Sequence, residues 1–269
     1  MTAPEAEHLG IIWRSIDELC SSFEPEDWNA ETDLPGWNVK DVVAHLCGSE
    51  SFFMGRPLPE HDPGERDHVK NELGSVNEVA VDFRRSHSAQ EVLDEFRAVT
   101  EERLIEISGW TEADLQVDAW TPVGPGTMRD LLATRVVDSW THEQDIRRGA
   151  GRPGHLDGPV PVFVTERLML AMPYVIGKRA AASDGSIVSF EVGDPPVVIR
   201  TVGVEGGRAH PIETSASDPD VWFGIDVETF CCLTCGRWTP EQARARGRLE
   251  LRGDAVLGER VLDEINVML

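Results

Sequence analysis

The chain has 269 residues, 41% hydrophobic and 27% charged, a globular composition with room for one large domain or two modest ones. Its formal net charge of -23 would on average repel a phosphate backbone, so nucleic acid is not an expected partner. No run of about 18 apolar residues offers a membrane span, the opening MTAPEAEHLG has neither a basic nor an apolar leader region, and five cysteines (an odd count) suit reduced thiols, so a cytoplasmic location is expected.

The first 150 residues are patterned as helices. Leu9, Ile12, Trp13, Ile16, Leu19, Cys20 and Phe23 recur at helical spacing and predict a first amphipathic helix. TDLPGW interrupts the chain, and Asn38 is placed to cap a second helix with Asp41 in its first turn. That helix carries Val42, His45, Leu46, Ser49 and Phe53 on one broad side. A polar loop is expected from Arg56 to Arg66, then a helix around Val76 to Phe83. Ser88 caps a further helix whose apolar stripe is Val92, Leu93, Phe96, Val99 and Ile105. Residues 109–126 read as loop, after which Thr127 caps a helix stopped by Gly149 and Gly151. Four or five helices with short connections predict a bundle.

Composition changes after GAGRPG. One more helix is expected near Val164 to Ile176. SIVSFEV, PVVIRTVGV and the stretch Val221 to Ile225 alternate as strands, and Val227 to Cys235 and Ala255 to Asn266 return to helical spacing. The expected class is therefore α+β: a helical bundle over 1–152 and a smaller mixed α and β domain over 153–269.

The segment VVDSWTHEQDIRRG, Val136 to Gly149, concentrates the chemistry. Asp138 and His142 are four apart, hence on one face of a helix, with Leu131, Arg135 and Asp145 near the same line. A carboxylate on a mostly buried face needs compensation, and a divalent metal would supply it together with a neutral imidazole. His45 is the best-placed third ligand, because Val42, Val43 and Leu46 turn its helix face inward. His8, His61, His68, His87, His155 and His210 lie near the terminus, in or beside loops, or in the second part. Three ligands with an open position is the catalytic form of a zinc site, although two histidines and one carboxylate also suit other divalent metals. The plainer alternative is that Asp138 pairs with Arg135 or His142 across a turn. Glu143 follows His142 as in a zinc-protease helix, but position 146 is Ile, and Glu143 points about 100° away from His142.

ETDLPGWNVKDVVAHLCG, VVDSWTHEQDI and the later TCGRW and LRGD together resemble the mycothiol-dependent maleylpyruvate isomerase family, DinB-like metal proteins of actinobacteria. The resemblance covers most of the chain and implies a DinB-like four-helix bundle with a smaller C-terminal domain. It also implies zinc held by a His on the second helix and by a Glu and a His four apart on a later one. Those places are His45, Asp138 and His142 here, with Asp138 one methylene shorter than the family's Glu. It further implies mycothiol as thiol cosubstrate, a thiolate attacking a small electrophile, and a C-terminal-domain arginine, for which Arg237 and Arg252 are the candidates.

The expected function is an isomerase or S-transferase dependent on a metal and mycothiol. A non-catalytic binding module, or a metal-dependent hydrolase, on the same fold are the alternatives. The chain is expected to be a monomer or homodimer. FCCLTCGRW holds Cys231, Cys232 and Cys235 at suggestive spacing, but no second pair completes a zinc set, so these and Cys47 are expected as small core residues. Trp37 is expected to fix the turn before the His45 helix, and Trp140 to line the site or pack.

Overall fold

A computed structural model describes residues 3–213, 218–246 and 248–268. They form two compact units that divide between His155 and Leu156, and the class is α+β as expected.

The first unit runs α1 (Pro4–Cys20), α2 (Pro25–Trp28), α3 (Val39–Phe53), α4 (Glu72–Arg85), α5 (Ala89–Ser108), α6 (Glu112–Leu115), the hairpin β1 (Asp118–Thr121) and β2 (Gly124–Thr127), and α7 (Met128–Gly149). α1 packs on α5 and α7, and α3 packs on α4, α5 and α7. Leu9, Ile12, Trp13, Ile16 and Leu19 of α1 face the core at helical spacing, which is why this segment is a helix rather than a strand. Phe23, expected in the same stripe, lies past the end of α1 and meets Trp28 edge-on, with ring centroids 5.5 Å apart. In α5 the expected Ile105 is turned outward, 69% exposed, and Ile107 and Arg103 take the inward places. Residues 109–126 contain α6 and most of the hairpin instead of a loop. Thr111 caps α6 reciprocally with Asp114, and Gly124 takes φ +123° at the turn.

The second unit begins with α8 (Pro159–Met169), α9 (Met172–Tyr174) and a π-helical turn over Val175–Arg179. By length and composition the 21-residue stretch Pro159–Arg179 is apolar enough to cross a membrane, although Glu166, Arg167, Lys178 and Arg179 break its apolar run. Half of its most apolar window is buried in the fold, and Val160, Val164, Leu168, Met172 and Ile176 pack as core. Then come β3 (Ile187–Gly193), β4 (Pro196–Glu205), β5 (Arg208–Ile212), β6 (Val221–Ile225), α10 (Val227–Thr234), α11 (Pro240–Ala245), β7 (Leu249–Gly253) and α12 (Ala255–Asp263). The sheet order is β5-β4-β3-β6-β7, with β3 and β6 parallel and the other neighbours antiparallel. Val188, Phe190 and Val192 of β3 alternate onto the buried face opposite Val221, Phe223 and Ile225, and the Phe190 and Phe223 rings stack at 4.9 Å. β5, β7 and α11 carry no strong sequence pattern. β5 is a five-residue edge strand containing Pro211, which an edge tolerates.

Candidate metal centre

Local sequence places the first histidine. Gly36 takes φ +80° in the LPGW turn, so the chain reverses just ahead of α3. The Asn38 side chain accepts from the Asp41 N–H at 2.9 Å, and the Asp41 carboxylate accepts from the Asn38 N–H at 3.2 Å. This reciprocal cap starts α3 so that His45, two turns in, is buried. One turn further, Gly48 lies against Ala80 of α4, where a Cβ would come within 2.5 Å of the alanine Cβ. α7 is started by the same device, with the Thr127 hydroxyl and N–H both donating to Asp130. Arg135, Asp138, His142 and Asp145 then follow along one side of α7, and three of the four are buried.

Packing of α3 on α7 brings His45, Asp138 and His142 together. One donor atom from each lies within 4.8 Å of the other two. The Nε2 of His45 is 3.5 Å from Asp138 Oδ2, and the Nε2 of His142 is 3.6 Å from Asp138 Oδ1. The imidazoles meet edge to face with centroids 4.6 Å apart. Trp37 closes one side, its ring 5.2 Å from His45 and 6.3 Å from His142.

These residues fit a small divalent cation. Bonds of roughly 2.0–2.2 Å in tetrahedral geometry put ligand atoms about 3.4 Å apart, close to the two imidazole–carboxylate separations. The protonation states also suit it. Burial lowers the His45 pKa to about 4, against the opposing pull of Asp138, so this imidazole is neutral at pH 7. Burial opposes ionisation of Asp138, but Arg135 and the two histidines outweigh it and hold the carboxyl well below its usual range. Burial likewise disfavours the His142 cation, yet Asp138 and Asp145 prevail and raise its pKa. A metal would have to displace a proton from His142 more than from His45.

A second layer holds the first. Asp145 Oδ2 lies 3.0 Å from His142 Nδ1, so in the neutral imidazole Nδ1–H donates to it and the Nε2 lone pair faces Asp138. Asp145 is itself fixed by Arg148, which donates to its other oxygen at 2.6 Å. Arg135 Nη1 donates to Asp138 Oδ2 at 2.8 Å, and its Nε donates to Glu50 Oε1 at 2.8 Å. Trp37 Nε1 donates to Glu78 at 2.9 Å, which sets the indole against the histidines. Asp145 and Arg135 were legible as members of the α7 stripe. Glu50 and Glu78 were not, because their roles depend on how α3 and α4 pack.

Pairing of Asp138 with Arg135, the plainer alternative, is thus present alongside the histidine cluster. Glu143 stays outside that cluster. It is fully buried and accepts from Ser15 at 2.6 Å, Arg147 at 2.8 Å and His155 at 2.7 Å. His155, expected in the second part, therefore belongs to the first unit, as does the Trp140 indole that donates to its carbonyl at 3.1 Å. Trp140 is wholly buried and packs in the core. In the second unit, Arg237 is half-buried and donates to the Cys235 carbonyl at 2.8 Å. Arg252 is exposed on β7, paired with Glu250 at 2.6 Å and lying 4.3 Å over the Trp222 ring. All five cysteines are buried and unbridged.

The family profile described as the mycothiol maleylpyruvate isomerase N-terminal domain matches residues 9–147. That span is a little over half of the sequence, and the chain belongs to this family. Among solved structures, a crystal structure of mycothiol-dependent maleylpyruvate isomerase is 14% identical, with a TM-score of 0.54 and coverage of 89% of this chain and 93% of that one. A histidine-to-alanine mutant of that enzyme gives 13% identity, a TM-score of 0.55 and coverage of 93% and 95%. At such identities the likeness speaks to the fold. Sterol carrier protein 2 like 2 from Aedes aegypti covers 36% of this chain and 95% of its own at 18% identity, but its TM-score of 0.28 bears no weight. No curated protein matches.

Proposed function

We propose that the protein is a metal-dependent isomerase or S-transferase that uses mycothiol and acts on a small electrophile. The observation that carries this reading is the convergence of His45, Asp138 and His142, with donor atoms within 4.8 Å of one another, in a chain of the mycothiol maleylpyruvate isomerase family. His45 and His142 would offer Nε2 and Asp138 a carboxylate oxygen. When bound there, a divalent ion such as zinc supplies the Lewis acidity by which a thiol is held as thiolate at neutral pH. The chain's own contribution is a preset donor arrangement. His45 is already deprotonated, Asp138 is ionised, Asp145 orients His142, and Trp37 walls the histidines. Arg237, or Arg252 in its place, is the proposed partner for an anionic substrate, and we place the reaction in the cytoplasm.

The test is metal content by mass spectrometry on tag-free protein and on His142→Ala, followed by assay with maleylpyruvate with and without mycothiol. About one zinc per chain, lost in the variant, and thiol-dependent turnover support the reading. Retained metal in the variant overturns the site, and turnover without thiol favours a hydrolase or other chemistry.

A further inference from the structure

We propose that Arg135, braced by Glu50, is the positioning residue that presents Asp138 to a metal as a one-oxygen ligand. The proposal rests on the metal reading above and concerns what makes that site selective. Arg135 is 3% exposed and Glu50 is completely buried. Glu50 sits on α3, the helix of His45, and Arg135 on α7, the helix of Asp138 and His142, so their ion pair ties together the two helices that carry the cluster.

The pattern of satisfied and orphaned atoms shows which contact Arg135 favours. A guanidinium facing a buried carboxylate ordinarily makes two parallel bonds, through Nε and Nη2, to both oxygens. Here only Nε reaches Glu50 Oε1, Arg135 Nη2 is buried without a hydrogen-bond partner, and Glu50 Oε2, also without one, lies 3.5 Å from the buried Nε of Arg103 on α5 as a looser ion pair. These are the two atoms that a fork-to-fork pair would join. Leaving them unjoined is costly in a buried site. What Arg135 makes in place of that bond is the 2.8 Å contact from Nη1 to Asp138 Oδ2. The guanidinium lies 5.2 Å from the Phe53 ring centroid, which limits its movement.

The consequence falls on Asp138. Its Oδ2 accepts from Arg135 and lies 3.5 Å from His45 Nε2, while Oδ1 faces His142 at 3.6 Å. The side chain is held in one orientation despite being 21% exposed. With a lone pair of Oδ2 taken up by Arg135, Oδ1 is the freer of the two oxygens for a metal. That favours a small ion satisfied by few ligands, such as zinc, over calcium, which takes six to eight oxygens and often both from a carboxylate. A lysine could not do the same, because a single ammonium lacks the planar fork that reaches Glu50 and Asp138 in fixed directions.

The experiment compares the full native chain with Arg135→Lys, Arg135→Gln and the double variant Glu50→Gln/Arg135→Gln. The double variant leaves a neutral, hydrogen-bonding pair in place of Arg135 and Glu50, and Arg103, which also faces Glu50, keeps its 2.6 Å bond to Glu106. Each is stripped of metal, checked by thermal melting, and titrated with zinc against a chromophoric chelator and with cobalt(II) by visible absorption. The expected result is a loss of zinc affinity of about 10-fold or more in all three, with weakened and shifted cobalt bands, and no rescue by lysine. Native affinity and an unchanged cobalt spectrum in Arg135→Lys, or in the double variant, would overturn the proposal. Failure of the metal reading itself looks different, because the native chain would then bind zinc no better than His142→Ala.

Discussion

His142 and Asp145 lie one turn apart on α7, with Nδ1 and Oδ2 separated by 3.0 Å, and this contact decides which ring nitrogen of His142 is free. With the Nδ1 proton donated to Asp145, the Nε2 lone pair faces Asp138. Asp145→Asn keeps the size but removes the charge that favours this tautomer. Zinc affinity should fall by about 10-fold or more, as for other second-layer partners of a metal-bound histidine. Chelator competition measures it, and an unchanged affinity would show that Asp145 serves only Arg148.

Asp138→Asn should be the more damaging change. It removes the anion facing two imidazoles and Arg135, whose nearest contacts are 3.5, 3.6 and 2.8 Å. The pKa of His142 should drop once that charge is gone, which NMR titration of the metal-free protein reads directly. A His142 titration identical to that of the native chain would mean that Asp145 alone sets it.

Gly48 is a packing position beside the site. A methyl group there would meet Ala80, so Gly48→Ala should separate α3 from α4 and cost roughly 1–3 kcal/mol in thermal or denaturant unfolding. Ala80→Gly in the same chain should recover part of the loss. If the double variant is no better than the single, the damage lies elsewhere than in this contact.

Acid stability should depend on the cluster around Arg85, which binds Asp82 at 2.6 Å, Glu78 at 2.7 Å and Asp41 at 3.3 Å. Burial opposes ionisation of Asp82, but hydrogen bonds from His61, Arg85 and Arg66 bring its pKa down to about 2, and Glu78 is lowered by similar partners. A depressed carboxylate pKa stabilises the fold above the unfolded value near 4, and that stability is lost as pH falls towards about 2. Asp41 has the opposite sign, since burial outweighs Arg85 and raises its pKa, so it offsets part of the loss. Asp82→Asn should flatten the fall in melting temperature between about pH 4 and pH 2. A slope equal to that of the native chain would remove Asp82 from the account.

The cysteines should react slowly in the folded state. Cys20 and Cys47 are 2% and 0% exposed, and burial pushes both thiols far above their ordinary range. Thiol-reagent kinetics in native buffer and in denaturant should differ strongly for all five. Fast native labelling of Cys231, Cys232 or Cys235 would contradict their burial as core residues of α10 and its end.

Much of this molecule was written locally. Helix starts at Asn38, Ser88 and Thr127 depend on a side chain and a backbone N–H three residues on, so they can be read along the chain. The i, i+4 relation of Asp138 and His142 is equally local, and the apolar neighbours of His45 announced an inward face. The hairpin of residues 118–127, the edge strand β5 and the final strand β7 were not announced, because short strands take their stability from neighbours distant in sequence. The same limit applied at the site. By itself the sequence determined which donors the helices carry and on which face. Only the packing of α3 and α4 against the rest of the bundle decided that Glu50 would brace Arg135 and that Glu78 would set Trp37, because ion pairs and ring contacts across helices depend on distances that no spacing along one helix contains.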